Sequence, residues 1–315
     1  MQTELPRDVI AFGESARDRF RALGGVPFAL EAETDDAARA QAGAALDELG
    51  AWDIDARGDA DELLAAAQLC RMAGAVVLPY PVVERLVALD GVPLALLDPA
   101  RPRLDHGDLF DAWVAADLDG TARRATAGRR TGSRLGPFVT GAALGDAVAG
   151  VSTDDVARHL LLGAWRITGA LDNALSLVAA HVQARRQFGS ALSEFQAVRF
   201  ATADAYVALR GLDELAKYTA WRMVTAAPAA RWADAVALRL HAADVAHDVL
   251  RCAHQLLGAI GFCDEHDVSV IDRHLQPALR LPYSAEGLAD ALMPSVFDGS
   301  FESLFSPAPS APQSA

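Results

Sequence analysis

Ala184-Arg185-Arg186-Gln187-Phe188-Gly189-Ser190-Ala191-Leu192-Ser193-Glu194-Phe195-Gln196-Ala197-Val198 joins two long segments of helical periodicity and decides how the chain is read. It sets a cationic turn, aromatic rings and a glutamine where one helix ends and the next begins. Those groups suit a dinucleotide: guanidinium for pyrophosphate, ring for adenine, amide for polar edges. Upstream, Ser152-Thr153-Asp154-Asp155 has the form of a capping box. After it, Val156, Leu160, Ala164, Ile167, Leu171, Leu175 and Val178 recur at spacings of three and four. This predicts one helix running to about Arg186, ended by Gly189.

Downstream, a second helix is predicted from about Ser193 to Ala226, where Ala227-Pro228 stops it. A third covers about Ala230–Leu257 on a stripe of Ala233, Val236, Leu240, Ala243, Val249 and Ala253. A shorter fourth falls at Ala285–Leu292. Long helices on short turns pack antiparallel, so residues 151–304 read as an antiparallel four-helix bundle.

Residues 1–90 read as a helical domain, with amphipathic segments at Asp8–Leu23, Asp35–Leu49 and Ala60–Ala75, broken by Pro79, Pro81 and Pro93. Residues 91–150 differ. Gly, Pro and Asp are frequent, Leu109–Leu118 and Arg134–Leu144 carry β-compatible runs, and Asp119-Gly120 and Thr131-Gly132 are turn signals. We read a small β middle domain inside a mainly α chain. Residues 305–315, rich in Pro, Ser and Ala, read as a disordered tail.

The 315 residues suffice for two or three cores, and a charged fraction of 22% is ordinary for a globular protein. A net charge of −14 argues against nucleic acid or an anionic membrane as partner. It leaves room for an anionic ligand held by a local pair such as Arg185 and Arg186. No membrane span, leader or metal-ligand spacing is expected, and Cys70, Cys252 and Cys263 fit a reducing cytoplasm. His241, His247 and His254 share one predicted helix at spacings that do not converge on a metal. Asp264-Glu265-His266-Asp267 reads as a solvated turn.

Arg185-Arg186-Gln187-Phe188-Gly189 with Phe195-Gln196 resembles the Arg-x-Gln-Phe-Gly…Phe-Gln segment of the acyl-CoA dehydrogenase family. Gln255-Leu256-Leu257-Gly258-Ala259-Ile260-Gly261-Phe262 is similar to that family's Gln-x-x-Gly-Gly-x-Gly-Phe, with Ala259 replacing the second glycine. The resemblance implies FAD as cofactor, an acyl-CoA thioester as substrate, and α,β-dehydrogenation as the reaction. It assigns Arg185 to the flavin pyrophosphate of a neighbouring subunit, and Gln187, Phe188, Leu192, Phe195 and Val198 to the adenosine end. Gln196, Gln255, Leu256, Gly258 and Ala259 are its remaining cofactor contacts. The independent reading agrees, since Gly258 and Gly261 let backbone N–H groups approach phosphate or ribose oxygens.

Two family features are absent from the sequence. No Thr-Glu-Pro-x-x-Gly-Ser-Asp-like loop lies between Leu94 and Gly150 to cradle the isoalloxazine and thioester. The family's glutamate base, which takes the α-proton, falls by counting at Leu281-Pro282. Glu286, four residues on, and His159, at the position a minority of members use, are the remaining candidates. The retained motifs act on a neighbour's cofactor and the lost ones on the chain's own. The resemblance therefore implies one subunit of a hetero-oligomer, two copies of each chain, whose related partner supplies the base; bulky acyl-CoA such as a steroid side chain is the analogy. Alternatives are a self-sufficient dehydrogenase using Glu286 or His159, a flavin monooxygenase of the same fold, and a flavin-free structural or regulatory bundle protein.

Overall fold

The computed structural model describes residues 4–297; the tail at 305–315 lies outside them. Five helices come first: α1 (Arg7–Ala22), α2 (Val26–Glu31), α3 (Asp36–Glu48), α4 (Ala60–Ala75) and α5 (Val82–Leu86). Asp35 and Asp59 cap α3 and α4 with side-chain carboxylates accepting backbone N–H groups. Strands follow: β1 (Leu94–Leu96), β2 (Arg103–Leu104), β3 (Trp113–Ala116), β4 (Ala122–Arg130) and β5 (Thr140–Val148).

They form one sheet in the order β1-β3-β4-β5-β2, antiparallel except for the β1–β3 pair. Trp113 is fully buried between the sheet and the 3-10 turn at 107–109, donating its indole N–H to the Gly107 carbonyl at 2.8 Å. Strand β4 was not singled out in the sequence. Its four arginines and single glycine mask the strand, and its two buried residues, Ala122 and Ala125, are three apart across a register shift rather than alternating. The second β-compatible run, Arg134–Leu144, straddles the loop and the first half of β5.

The remaining helices are α6 (Thr153–Ala184), α7 (Gln196–Thr225), α8 (Pro228–Leu257), α9 (Asp267–Arg280) and α10 (Ala285–Phe297). The predicted capping box is formed: Ser152 Oγ accepts from Asp155 N, and Asp155 accepts from Ser152 N. Helix α6 is buried around most of its circumference, which makes it the axis of the molecule. It touches α4 on one side and α7, α8 and α9 on the others. Gly74 of α4 and Gly169 of α6 permit the closest of these crossings. A Cβ on Gly74 would sit 1.9 Å from the Arg166 carbonyl oxygen, and one on Gly169 1.9 Å from that of Arg71.

Two expectations need correction. Helix α6 stops at Ala184, and Gly189 does not end it: Arg186–Gln187 and Ser190–Ala191 pair as strands β6 and β7 of a two-residue hairpin. Phe188 (φ 52°) and Gly189 (φ 83°) are its corner, both left-handed, as a type I′ turn requires. Helix α9 is a fifth member of the C-terminal helical region, absent from the four-helix reading. Val268, Ile271 and Leu275 form its buried stripe, but Arg273, His274 and Pro277 interrupt the pattern. Arg273 and His274 are buried because both bond Glu33 of the loop after α2, at 3.0 and 2.9 Å. A tertiary contact thus overrides polarity.

Candidate functional site

The two motif segments, about 60 residues apart in sequence, converge. Arg185, Gln187, Leu192 and Val198 from the α6–α7 junction face Gln255, Leu256, Gly258 and Ala259 from the end of α8 across one groove of about 590 Å³. His181, Leu257 and Ile260 complete its lining. The groove lies within the size range of ligand pockets.

Local backbone fixes this geometry. Arg185 caps α6 with its N–H on the His181 carbonyl at 2.8 Å, and its own carbonyl accepts from Leu192 N at 2.8 Å. Its guanidinium is exposed and carries no side-chain hydrogen bond or ion pair among the described residues. Gly258 caps α8 at φ 63°, a conformation costly for other residues, and nothing stands within 4 Å of where its Cβ would be. The Gly258 N–H is held by the His254 carbonyl, so what the open side offers a ligand is close approach to the backbone. His181 is displaced below its usual pKa by burial first, then by Arg185 and His266. It is a neutral neighbour of the Arg185 charge at physiological pH.

Phe188, Phe195 and Gln196 lie outside that lining. Phe188 is 94% exposed at the hairpin corner, its ring edge-on to Phe195 with centroids 6.4 Å apart. Gln196 is exposed in the first turn of α7. Sequence reading missed His181, Leu257 and Ile260 as lining residues. His181 was legible, since it sits one helical turn before Arg185 and shares its face.

The positions named for a catalytic base separate. His159 on α6 and Leu281-Pro282 after α9 line one small cavity of about 60 Å³, together with Glu84 of α5, Asp105, Arg166 and Arg239. Such a volume holds a few water molecules and no ring system. His159 Nε2 lies 3.7 Å from Glu84 Oε1. Burial pushes Asp105 up to about 7, against the opposing pull of Arg166. Burial also brings Arg239 down to about 10; its guanidinium donates to the carbonyls of Ala278 and Leu281. Glu84 is raised by burial, but His159 and Arg166 outweigh this and hold it below the ordinary carboxylate value. Glu286 stands elsewhere, exposed in the first turn of α10 and outside the cavity.

Asp264-Glu265-His266 forms a turn ahead of α9, and among the described residues no three His, Cys, Asp or Glu side chains are placed to hold a metal ion. No helix among them is long and apolar enough to cross a membrane.

Residues 157–282 match the C-terminal domain of acyl-CoA dehydrogenases. A stretch of 100 residues is 33% identical to the short-chain-specific acyl-CoA dehydrogenase of Clostridium acetobutylicum. That stretch covers 32% of this chain and only 26% of the relative, about a quarter of its length. As a fold, the chain superposes on the crystal structure of the ChsE4-ChsE5 complex from Mycobacterium tuberculosis with a TM-score of 0.76. The identity is 16%, and 95% of this chain and 99% of that one are covered. A Tcur3481-Tcur3483 steroid ACAD gives a TM-score of 0.73 at 17% identity, covering 93% and 98%.

Proposed function

The chain belongs to the acyl-CoA dehydrogenase family, and from that premise we propose that it is one subunit of an FAD-dependent acyl-CoA dehydrogenase built from two related chains. In this reading residues 1–90, 91–150 and 151–304 are its three domains, and the complex is cytoplasmic. The observation that carries the proposal is the contrast between two of its cavities. The groove at Arg185 and Gly258 is of ligand size, whereas the cavity containing both counted base positions is below it.

The residues present fit the nucleotide half of FAD. Arg185 supplies a free guanidinium for the pyrophosphate, and Gly258, whose own N–H is held by the His254 carbonyl, lets a ligand approach the backbone closely on its open side. Gln187 and Gln255 offer amide edges, while Leu192, Val198 and Leu256 offer apolar walls. Phe188, Phe195 and Gln196 lie outside the lining, at the hairpin corner and the start of α7. When bound, the flavin provides the hydride acceptor for α,β-dehydrogenation of an acyl-CoA thioester. The work of this chain is to hold the nucleotide end, while the related partner provides the ring pocket and the carboxylate base.

Two copies of each chain, and a bulky acyl group such as a steroid side chain, complete the reading. The steroid assignment follows only the description of one structural neighbour. A second reading, a self-sufficient dehydrogenase with His159 as base, draws support from the Glu84–His159 pair beside Leu281-Pro282. The cavity volume argues against it. Glu286 receives no comparable support.

Co-expression with a related dehydrogenase chain encoded nearby, followed by an absorbance scan of the purified complex, tests the proposal. A yellow complex that oxidises acyl-CoA is the expected result. A lone chain that purifies with full flavin occupancy and oxidises acyl-CoA overturns it; a complex that stays colourless points to the flavin-free structural role.

A further inference from the structure

Arg166 of α6 and Arg239 of α8 line the small cavity and are only 7% and 3% exposed. Neither has a counter-charge. Among the described residues no carboxylate oxygen lies within 4.0 Å of either guanidinium. Arg239 donates through Nη2 to the carbonyls of Ala278 and Leu281, and its Nη1 has no hydrogen-bond partner. Burial alone lowers its pKa, and no carboxylate opposes that shift. Arg166 makes no hydrogen bond or ion pair among the described residues, although its guanidinium belongs to the cavity wall.

The rest of the lining does not balance these charges. Glu84 withstands the upward push of burial with the help of His159 and Arg166 and is ionised, and its Oε2 has no partner. Asp105 is pushed up to about 7 by burial, so below neutral pH it adds little negative charge. Arg103, exposed on β2, lines the same cavity as a third guanidinium. Cations are therefore in excess, and a buried cation is unfavourable until it is paired. Water would satisfy the open donors but leave that excess in place.

We infer that this cavity is a binding site for a small monovalent oxyanion of formate or bicarbonate size, held by Arg166 and Arg239. A volume of about 60 Å³ admits an ion of roughly two to four heavy atoms. The planar fork of a guanidinium matches the two oxygens of such an ion. Bound there, the ion joins α6 to α8, and through the Arg239 contacts to the end of α9 and Leu281. No residue lines both this cavity and the groove at Arg185. Anion binding and flavin binding are thus separate properties, and the failure of one leaves the other untouched.

The test is urea unfolding of the purified full chain in sodium formate and in sodium gluconate at equal ionic strength. Gluconate is too large for the cavity. Formate at about 100 mM should lower the unfolding constant at least tenfold and saturably, as a dissociation constant of about 10 mM or tighter requires. Arg166→Met removes the charge and keeps the length. It should be at least as stable as the parent in gluconate and lose the formate response. Glu84→Gln removes the competing negative charge and should tighten formate binding by about threefold or more. Looser binding in that variant would count against the site. Equal responses in the parent and Arg166→Met, or no difference between formate and gluconate in the parent, overturn the inference and leave a cavity filled by water. Should Arg166→Met fail to fold, the NMR line of ¹³C-formate decides on the parent chain. Broadening that excess unlabelled formate reverses and gluconate does not supports the site, and its absence overturns it.

Discussion

Arg185 is an exposed guanidinium at the end of a helix, a setting that by itself usually means a solvated side chain. What raises it above that is its company, since Gly258 and Gln255 reach the same groove. Replacing it with alanine should weaken flavin retention in the complex by about 1.5–3 kcal/mol, a roughly 10- to 150-fold rise in the dissociation constant. Flavin fluorescence on dilution would measure it; unchanged release rates would remove Arg185 from the site. Glu286→Gln should leave turnover unaltered, because the residue is exposed and does not line the cavity. A collapse of kcat in that variant would identify it as the base.

Asp105 makes a different prediction at the same scale. Buried, it holds its proton up to about pH 7, while in the unfolded chain it releases it near 3.8, the ordinary value of an aspartate. The folded state therefore binds more protons between those values, and this group makes stability fall as pH rises from about 4 to about 7. The whole effect is on the order of 4 kcal/mol at most. Asp105→Asn should flatten that part of the profile in denaturant melts taken at pH 5 and pH 8. A slope identical to the parent would show that the carboxyl ionises freely.

At the level of elements, the most readable features were the ones with local causes. The capping box at Ser152 and the periodicity of α6, α7 and α8 were legible because helix caps and apolar stripes are written within a few residues of one another. The β6–β7 hairpin was not. Phe188 in the left-handed region is uncommon for an aromatic residue, and Gly189 alone reads as a helix stop. The α4–α6 crossing was equally silent, since Gly74 and Gly169 look like ordinary helix-weakening glycines until their carbonyl neighbours are seen. Gly169→Ala should cost about 1–3 kcal/mol by forcing the helices apart, despite alanine's better helix propensity. Gly163→Ala, on the same helix with nothing within 4 Å, should instead be neutral or stabilising by up to about 1 kcal/mol. Urea midpoints of the two variants decide this, and equal shifts would refute the crossing argument.

Across the whole molecule, two helical layers and a five-stranded sheet meet around the small polar cavity, where α5, α6, α8 and the loops at Asp105 and Leu281 converge. Expressed alone, the chain should lack flavin, because in the proposed complex the ring pocket belongs to the related partner. Flavin content measured with and without the related partner checks this; equal occupancy in both preparations would count against divided labour. The sequence by itself determined the helix–strand–helix order, the long bundle helices and the two motif segments, because periodicity, caps and short motifs are local in the chain. Only the tertiary structure decided that Arg185 and Gly258 share one groove, that His159 and Leu281-Pro282 share a cavity too small for a ring, and that α9 is a helix despite its buried charges. Those outcomes depend on contacts between residues tens to hundreds of positions apart, where close packing and the pairing of buried polar groups, rather than local preference, set the geometry.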